Sequence, residues 1–288
     1  MINKKILTAI QKALDTAIEK ADDTKEWVGK IPQSKAWTEQ SIKAINSMEK
    51  QAFKLLKKQR DRYIKALGKI KLKVKKADFD EELSAELAAI IEEYETLYEQ
   101  QVTPHYINIA EIVANELLAQ ANKAKNINIT FDLLNEIARD WLEGKRINFA
   151  KEVSETTHKA VIEALTEGFE AGEGISKLAA RIKGFPEFGI SRAITIARTE
   201  IISASNAGSI EGYRQSGVVI GKEWLATADG KTRRTHAAAN GQRKKLDSPF
   251  IVGGYKLMQP GDGSLGAPAK EIVLCRCTVV PILEGEKI

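Results

Sequence analysis

Histidine and cysteine are scarce in this chain of 288 residues, with three of the first and two of the second. One histidine, His236, lies in "TADGKTRRTHAAANGQ" (227–242), and both cysteines, Cys275 and Cys277, lie in "EIVLCRCTVV" (271–280). On an extended backbone, side chains two positions apart share a face, so the two sulfurs can converge on one ion. His236 can add a third ligand and Asp229 a fourth, a set that tetrahedral zinc accepts. The competing reading is a pair of small buried thiols, with Arg276 on the opposite face pairing with an acid. A catalytic reading draws on the same stretch. Asp229, Arg233 and His236 bring an acid, a cation and an imidazole within eight positions, the parts of a phosphodiesterase or nuclease. That reading lacks a second acid–base group beside the histidine. The structural alternative makes Asp229-Gly230 a tight turn and Thr232 to Ala239 a short helix or turn. No cofactor is required by any other feature, and zinc is an ion that this set can hold.

These residues must be positioned by the elements around them. "SRAITIARTEIISASNAGSIEGYRQSGV" (191–218) reads as a helix over 190–216, with Gly217 as its C-terminal stop. Within it Arg198 and Glu200 are flanked by Ile194, Ile196, Ala197 and Ile201. That setting predicts fold-defining charges, buried as an ion pair or bonded to a sheet. Asn206, two turns on, can bond the backbone of a loop. After Gly217 the texture changes. "VVIGKEWLATADG" and "EIVLCRCTVVPIL" read as β-rich runs, with Trp224 on a half-buried strand face. The glycines and prolines of "VGGYKLMQPGDGSLGAPAK" (252–270) are turn chemistry. Helices first and a small antiparallel sheet last give an α+β fold.

The first half is almost entirely helical. Apolar stripes recur at Phe53, Leu56, Tyr63, Leu67, Ile70 and Val74, then at Leu83, Leu87, Ile90, Tyr94 and Leu97. After Pro104 a third stripe runs through Tyr106, Ile109, Val113 and Leu117. The polar "NKAKNINIT" (122–130) marks a boundary, which divides the chain into a helical arm, 1–125, and a core, 126–288. In the core, "FDLLNEIARDWLEG" reads as a helix ended by Gly144. A second helix covers 147–170, and a short one in "EGISKLAARIKGF" is closed by Gly184 and Pro186. Trp27 and Trp37, which flank "VGKIPQSKA", either pack the first hairpin or dock on a partner.

Charge divides the arm sharply. Residues 50–76 carry twelve Lys or Arg and one acid, whereas 78–99 carry nine acids and no Lys or Arg. Adjacent blocks of similar length and opposite sign predict an antiparallel helical hairpin whose arms attract. The basic arm can also face DNA phosphates, through Lys54, Lys57, Lys58, Arg60, Arg62 and Lys65. The overall net charge, +5, is too small to argue for nucleic acid by itself. No run of about 18 apolar residues exists, so no membrane span is expected. The charged, amphipathic start lacks the apolar core of a secretory signal, and two cysteines one residue apart make no disulfide framework. A reducing cytoplasm is the expected site of synthesis.

The order of short motifs in the second half resembles a known family. Ala-Arg-Thr-Glu (197–200) with a downstream Asn206 is followed by Lys-x-Trp (222–224) and Asp-x-x-x-Arg-x-x-His (229–236). "PFIVGGYKLMQPGD" (249–262) and then Cys-x-Cys (275–277) before a strand end complete the series, and "EGFEAGEGISKLAARI" fits the helix ahead of it. Over about 150–282 this resembles the phage Mu F-like minor head protein family, also called the phage head morphogenesis family. The resemblance implies a minor structural protein of a tailed-phage or prophage head, in the virion at the head interior or portal vertex and in the host cytoplasm during assembly. It implies portal, capsid or scaffold proteins as partners, packaged DNA as a further contact, and no enzymatic activity of this core. Some relatives carry toxin or enzyme domains after the core, and none is expected in the six residues that follow Ile282. Two other classes compete with this reading. One is a phosphodiesterase built on Asp229, Arg233 and His236, and the other is a DNA-binding module built on the basic helix 50–76.

Overall fold

The computed structural model describes residues 35–68, 76–125, 128–132 and 136–288. The expected N-terminal helix, Trp27, Ile70 and Val74 lie outside these residues, as do the side chains of Trp37 and Leu83. The described residues pack as two units that interleave along the chain. Met48–Pro104 groups with Leu134–Ile196, and His105–Leu133 groups with Ala197–Ile288.

In the first of these units the spacing of apolar residues produces a helical hairpin. Helix α1 (Lys35–Leu67) buries Ala52, Leu55, Leu56 and Tyr63 there, and α2 (Lys76–Lys125) buries Leu87, Ile90, Tyr94 and Tyr98. The opposite charges of the two arms do meet, at Arg62 and Glu93, whose nitrogen and oxygen lie 2.7 Å apart. Both side chains are well exposed, and such a pair contributes less than about 1 kcal/mol. The apolar stripes therefore hold the hairpin. Further on, Tyr63 packs against His158 and Phe188.

One helix tolerates a proline, and one expected break is not a break. Helix α2 runs through Pro104. A proline costs an interior helix about 3 kcal/mol, but Tyr98 and Val102 before it and Tyr106 and Ile109 after it are all buried. That burial outweighs the lost hydrogen bond. Likewise α3 spans Glu136–Glu170 and passes through Gly144. A glycine costs a helix only about 1 kcal/mol, and here no turn chemistry follows to use its freedom. The helices expected over 131–144 and 147–170 are one. Helix α4 (Ile175–Lys183) ends at Gly184 as read, and a short 3-10 turn (Pro186–Phe188) leads to α5 (Ile190–Ser216). Gly217 ends α5 with φ at +65°, a conformation that L side chains rarely adopt.

The β-elements belong to the second unit. A three-stranded antiparallel sheet has the order β2-β1-β5, from β1 (Val219–Leu225), β2 (Arg243–Lys245) and β5 (Thr278–Leu283). A separate hairpin pairs β3 (Phe250–Val252) with β4 (Tyr255–Leu257). Two short helices, α6 (Arg234–Ala239) and α7 (Ala269–Ile272), complete the unit. The reading of "EIVLCRCTVVPIL" as one β-run is correct only from Thr278 onward, because its first residues close α7 and turn. The fold is α+β, mostly helical with small antiparallel sheets.

Helix α5 organises this unit with two faces. On one, Gly208 and Gly212 meet the Ala110 and Ala114 backbone of α2. A Cβ at Gly208 would lie 2.4 Å from the Ala110 carbonyl oxygen. On the other, polar side chains at helical spacing reach out to the loops. Thr199 Oγ1 accepts from Leu274 N–H, and Ser203 donates to Gly261 O. Asn206 donates to Pro260 O and Cys277 O, and Tyr213 to Val279 O.

Candidate functional site

The register of the central sheet brings the cysteine segment to the histidine. Strand β1 pairs with β5 so that Trp224 opposes Val279 and Leu225 opposes Thr278. Cys277, just before β5, thus lies beside the exit of β1, where Thr227 Oγ1 donates to Arg276 O at 2.6 Å. The chain leaving β1 turns at Asp229, whose carboxylate accepts from Lys231 N–H, and enters α6. One face of α6 is buried and carries His236 and Ala239. On the other side, Leu274 adopts a left-handed φ of +55°, a rare conformation for a branched side chain. This turn, held by Thr199, leads into the segment Cys275 to Cys277.

The result is a closed cluster. His236 Nδ1 lies 3.4 Å from Cys277 Sγ and 3.5 Å from Cys275 Sγ. The three residues are 1–2% exposed, and their ligand atoms all fall within 4.8 Å of one another. Trp224, fully buried rather than half-buried, stands edge-on to the imidazole with ring centroids 5.5 Å apart. The hydrogen bond from Cys275 and the contact with His236 push the Cys277 thiol below the usual range, while the bond to Cys277 and burial push Cys275 up. A soft divalent ion, a proton shared between sulfur and nitrogen, or an oxidant can each engage such a group.

The acid beside His236 is not the one its sequence neighbours suggested. Glu271 of α7 is 4% exposed, and its Oε2 lies 3.3 Å from His236 Nε2 and accepts from Thr235 Oγ1 at 2.8 Å. Asp229 instead takes both guanidinium nitrogens of Arg276, at 2.5 and 2.7 Å. That bond holds its carboxyl down at about 2. Arg233 donates to the Val273 carbonyl. The expected pairing of Arg276 with an acid is present, and it uses the very carboxylate considered as a fourth metal ligand and as a catalytic acid. Sequence reasoning missed Glu271. Its only signal was its place four residues before Cys275.

The remaining candidates surround the cluster or lie apart from it. Arg198 and Glu200 are buried on α5, 6% and 7% exposed, and burial pushes the Glu200 carboxyl up to about 8. Asn206 bonds loop backbone, as its position implied. Lys222 and Trp224 share the buried face of β1. The Lys222 ammonium donates to Leu246 O and Met258 O at 2.7 Å and lies 5.3 Å from the Phe250 ring centroid. In the basic helix, Lys54, Lys57, Lys58 and Lys65 are exposed. Arg60 and Arg62 pair with Asp61 and Glu93.

Residues 159–280 match the family described as Phage Mu protein F like protein. The chain carries a Mu F-like region. This region contains α4, α5, the His236 cluster and Glu271. Over 127 residues the chain is 32% identical to Minor head protein GP7 of Bacillus phage SPP1, covering 43% of this chain and 40% of that protein. It is 25% identical over 287 residues to Uncharacterized protein YqbB of Bacillus subtilis (strain 168), covering 96% of this chain and 90% of that one. It is also 28% identical over 176 residues to NAD(+)--arginine ADP-ribosyltransferase EFV of Enterococcus faecalis (strain ATCC 700802 / V583), covering 57% of this chain. The chain spans only 35% of that enzyme. No solved structure matches the chain. Among the described residues, no helix is long and apolar enough to cross a membrane.

Proposed function

We propose that this protein is a minor structural component of a tailed-phage or prophage head that acts in capsid assembly near the portal vertex and is not itself an enzyme. The similarity of its Mu F-like region to the minor head protein of phage SPP1 carries the reading. The geometry of the region agrees with a structural role. Asp229 and Arg233, which a phosphodiesterase would aim at substrate, are engaged by Arg276 and by backbone. The exposed lysines 54, 57, 58 and 65 offer a surface for packaged DNA, and portal, capsid or scaffold proteins are the protein partners.

The test is quantitative proteomics on gradient-purified particles, together with labelling that locates the protein on the shell. A few copies per particle at one vertex are expected. Absence from purified heads, or copies in proportion to the major shell protein, would count against this function.

A further inference from the structure

We propose that His236, Cys275 and Cys277 bind one zinc ion, with Glu271 as the carboxylate that orients the histidine. The first support is distance. Zinc bonds of about 2.3 Å to sulfur and about 2.0–2.1 Å to nitrogen, at tetrahedral angles, place nitrogen and sulfur about 3.5 Å apart. The imidazole Nδ1 lies 3.4 and 3.5 Å from the two sulfurs. The ring therefore already holds the spacing that an ion between these atoms requires.

The second support comes from the far side of the ring. A ligating histidine nearly always gives its other N–H to a carboxylate or carbonyl. With Nδ1 turned to the sulfurs, the proton belongs on Nε2, which faces Glu271 Oε2 at 3.3 Å. Nε2 is buried and makes no completed hydrogen bond in this arrangement, and the Glu271 carboxylate is the acceptor that faces it. Thr235 fixes the carboxylate from the same helix that carries the histidine.

The third support is charge. Binding Zn²⁺ releases the two thiol protons, and two thiolates then cancel the ion. A neutral unit can be buried at 1–2% exposure, where an isolated charge cannot. Among the described residues these three form the one such group of His, Cys, Asp or Glu ligands. Water or another small ligand therefore takes the fourth position, since Asp229 is held by Arg276 and Glu271 lies beyond the imidazole. The ion links the helix after β1 to the segment before β5 and closes the loop between them, which stabilises the folded state as any cross-link does.

The experiment uses the full chain, purified under reducing conditions without chelator. About one zinc per chain is expected by elemental mass spectrometry, and cobalt(II) exchanged into the site should show a thiolate-to-cobalt charge-transfer band. Cys275→Ala, Cys277→Ala and His236→Ala should lose the metal. Glu271→Gln should keep the band with affinity roughly 10–100-fold weaker. In the parent protein both thiols should resist a thiol reagent until chelator is added. A folded parent chain that carries no zinc and gives no thiolate–cobalt band overturns the proposal, whether or not the variants fold. Metal retained in full by the Cys275→Ala/Cys277→Ala double variant overturns it too, because the ion would then be elsewhere.

Discussion

Glu271 Oε2 faces His236 Nε2 at 3.3 Å, although the two residues are 35 positions apart in the sequence. Asp229, only seven positions from the same histidine, turns its carboxylate to Arg276 instead. The site is thus assembled by the return of the chain through α7, and its acid is one that no local motif marks.

The Asp229–Arg276 pair should matter for stability. Arg276 is 6% exposed, so Asp229→Asn leaves a largely buried guanidinium without its counter-charge. A loss of roughly 2–4 kcal/mol is expected by urea unfolding. Replacing both, as Asp229→Asn with Arg276→Met, should recover part of it. The bond to Arg276 holds the Asp229 carboxyl down at about 2. This contribution is therefore complete above the ordinary aspartate pKa and disappears as pH falls through about 2.

Glu200 has the opposite sign. Burial raises its carboxyl to about 8, so the folded chain keeps a proton that the unfolded chain gives up at the ordinary glutamate pKa. Its contribution is complete below that ordinary value and is lost as pH rises toward about 8, at up to roughly 1.4 kcal/mol per pH unit. Glu200→Gln should flatten this part of the stability–pH curve. An unchanged slope would show that Glu200 does not retain its proton.

The crossing of α5 with α2 should distinguish two glycines of the same sequence stretch. A Cβ at Gly208 meets the Ala110 backbone at 2.4 and 2.8 Å, which only helix displacement can relieve. At Gly212 the nearest atoms lie at 3.1 and 3.2 Å. Gly208→Ala should cost roughly 1–3 kcal/mol. Gly212→Ala should be close to neutral, because helix propensity returns about 1 kcal/mol. Thermal melts followed by circular dichroism would rank them.

DNA binding by the basic helix should come from its exposed lysines. Replacing Lys54, Lys57, Lys58 and Lys65 by alanine should flatten the dependence of duplex binding on salt, by about 0.9 in log–log slope for each phosphate no longer neutralised. Replacing Arg60 and Arg62, already paired with acids, should change the slope less. Binding by the parent chain that ignores salt would exclude DNA as a partner of this helix.

Periodicity and punctuation alone determined much of this protein. The stripes at Leu87, Ile90 and Tyr94, the stop at Gly217, the α+β order and the family resemblance were all legible, because each depends on residues near one another in the chain. His236, Cys275 and Cys277 were also legible as a set, because their types are rare here. Only the tertiary structure decided the rest. Gly144 reads as a break and is not one, and at Pro104 the burial of Tyr98, Val102, Tyr106 and Ile109 exceeds the local cost of the proline, a burial that no window of sequence contains. Asn206 was legible as a contact to loop backbone, but the polar row that it forms with Thr199, Ser203 and Tyr213 emerged only when the loops they bind came into place. Which carboxylate faces His236 was settled by the pairing of β1 with β5 and by the left-handed turn at Leu274. A local pattern can name the groups that could do chemistry, but which of them meet depends on long-range pairing and burial.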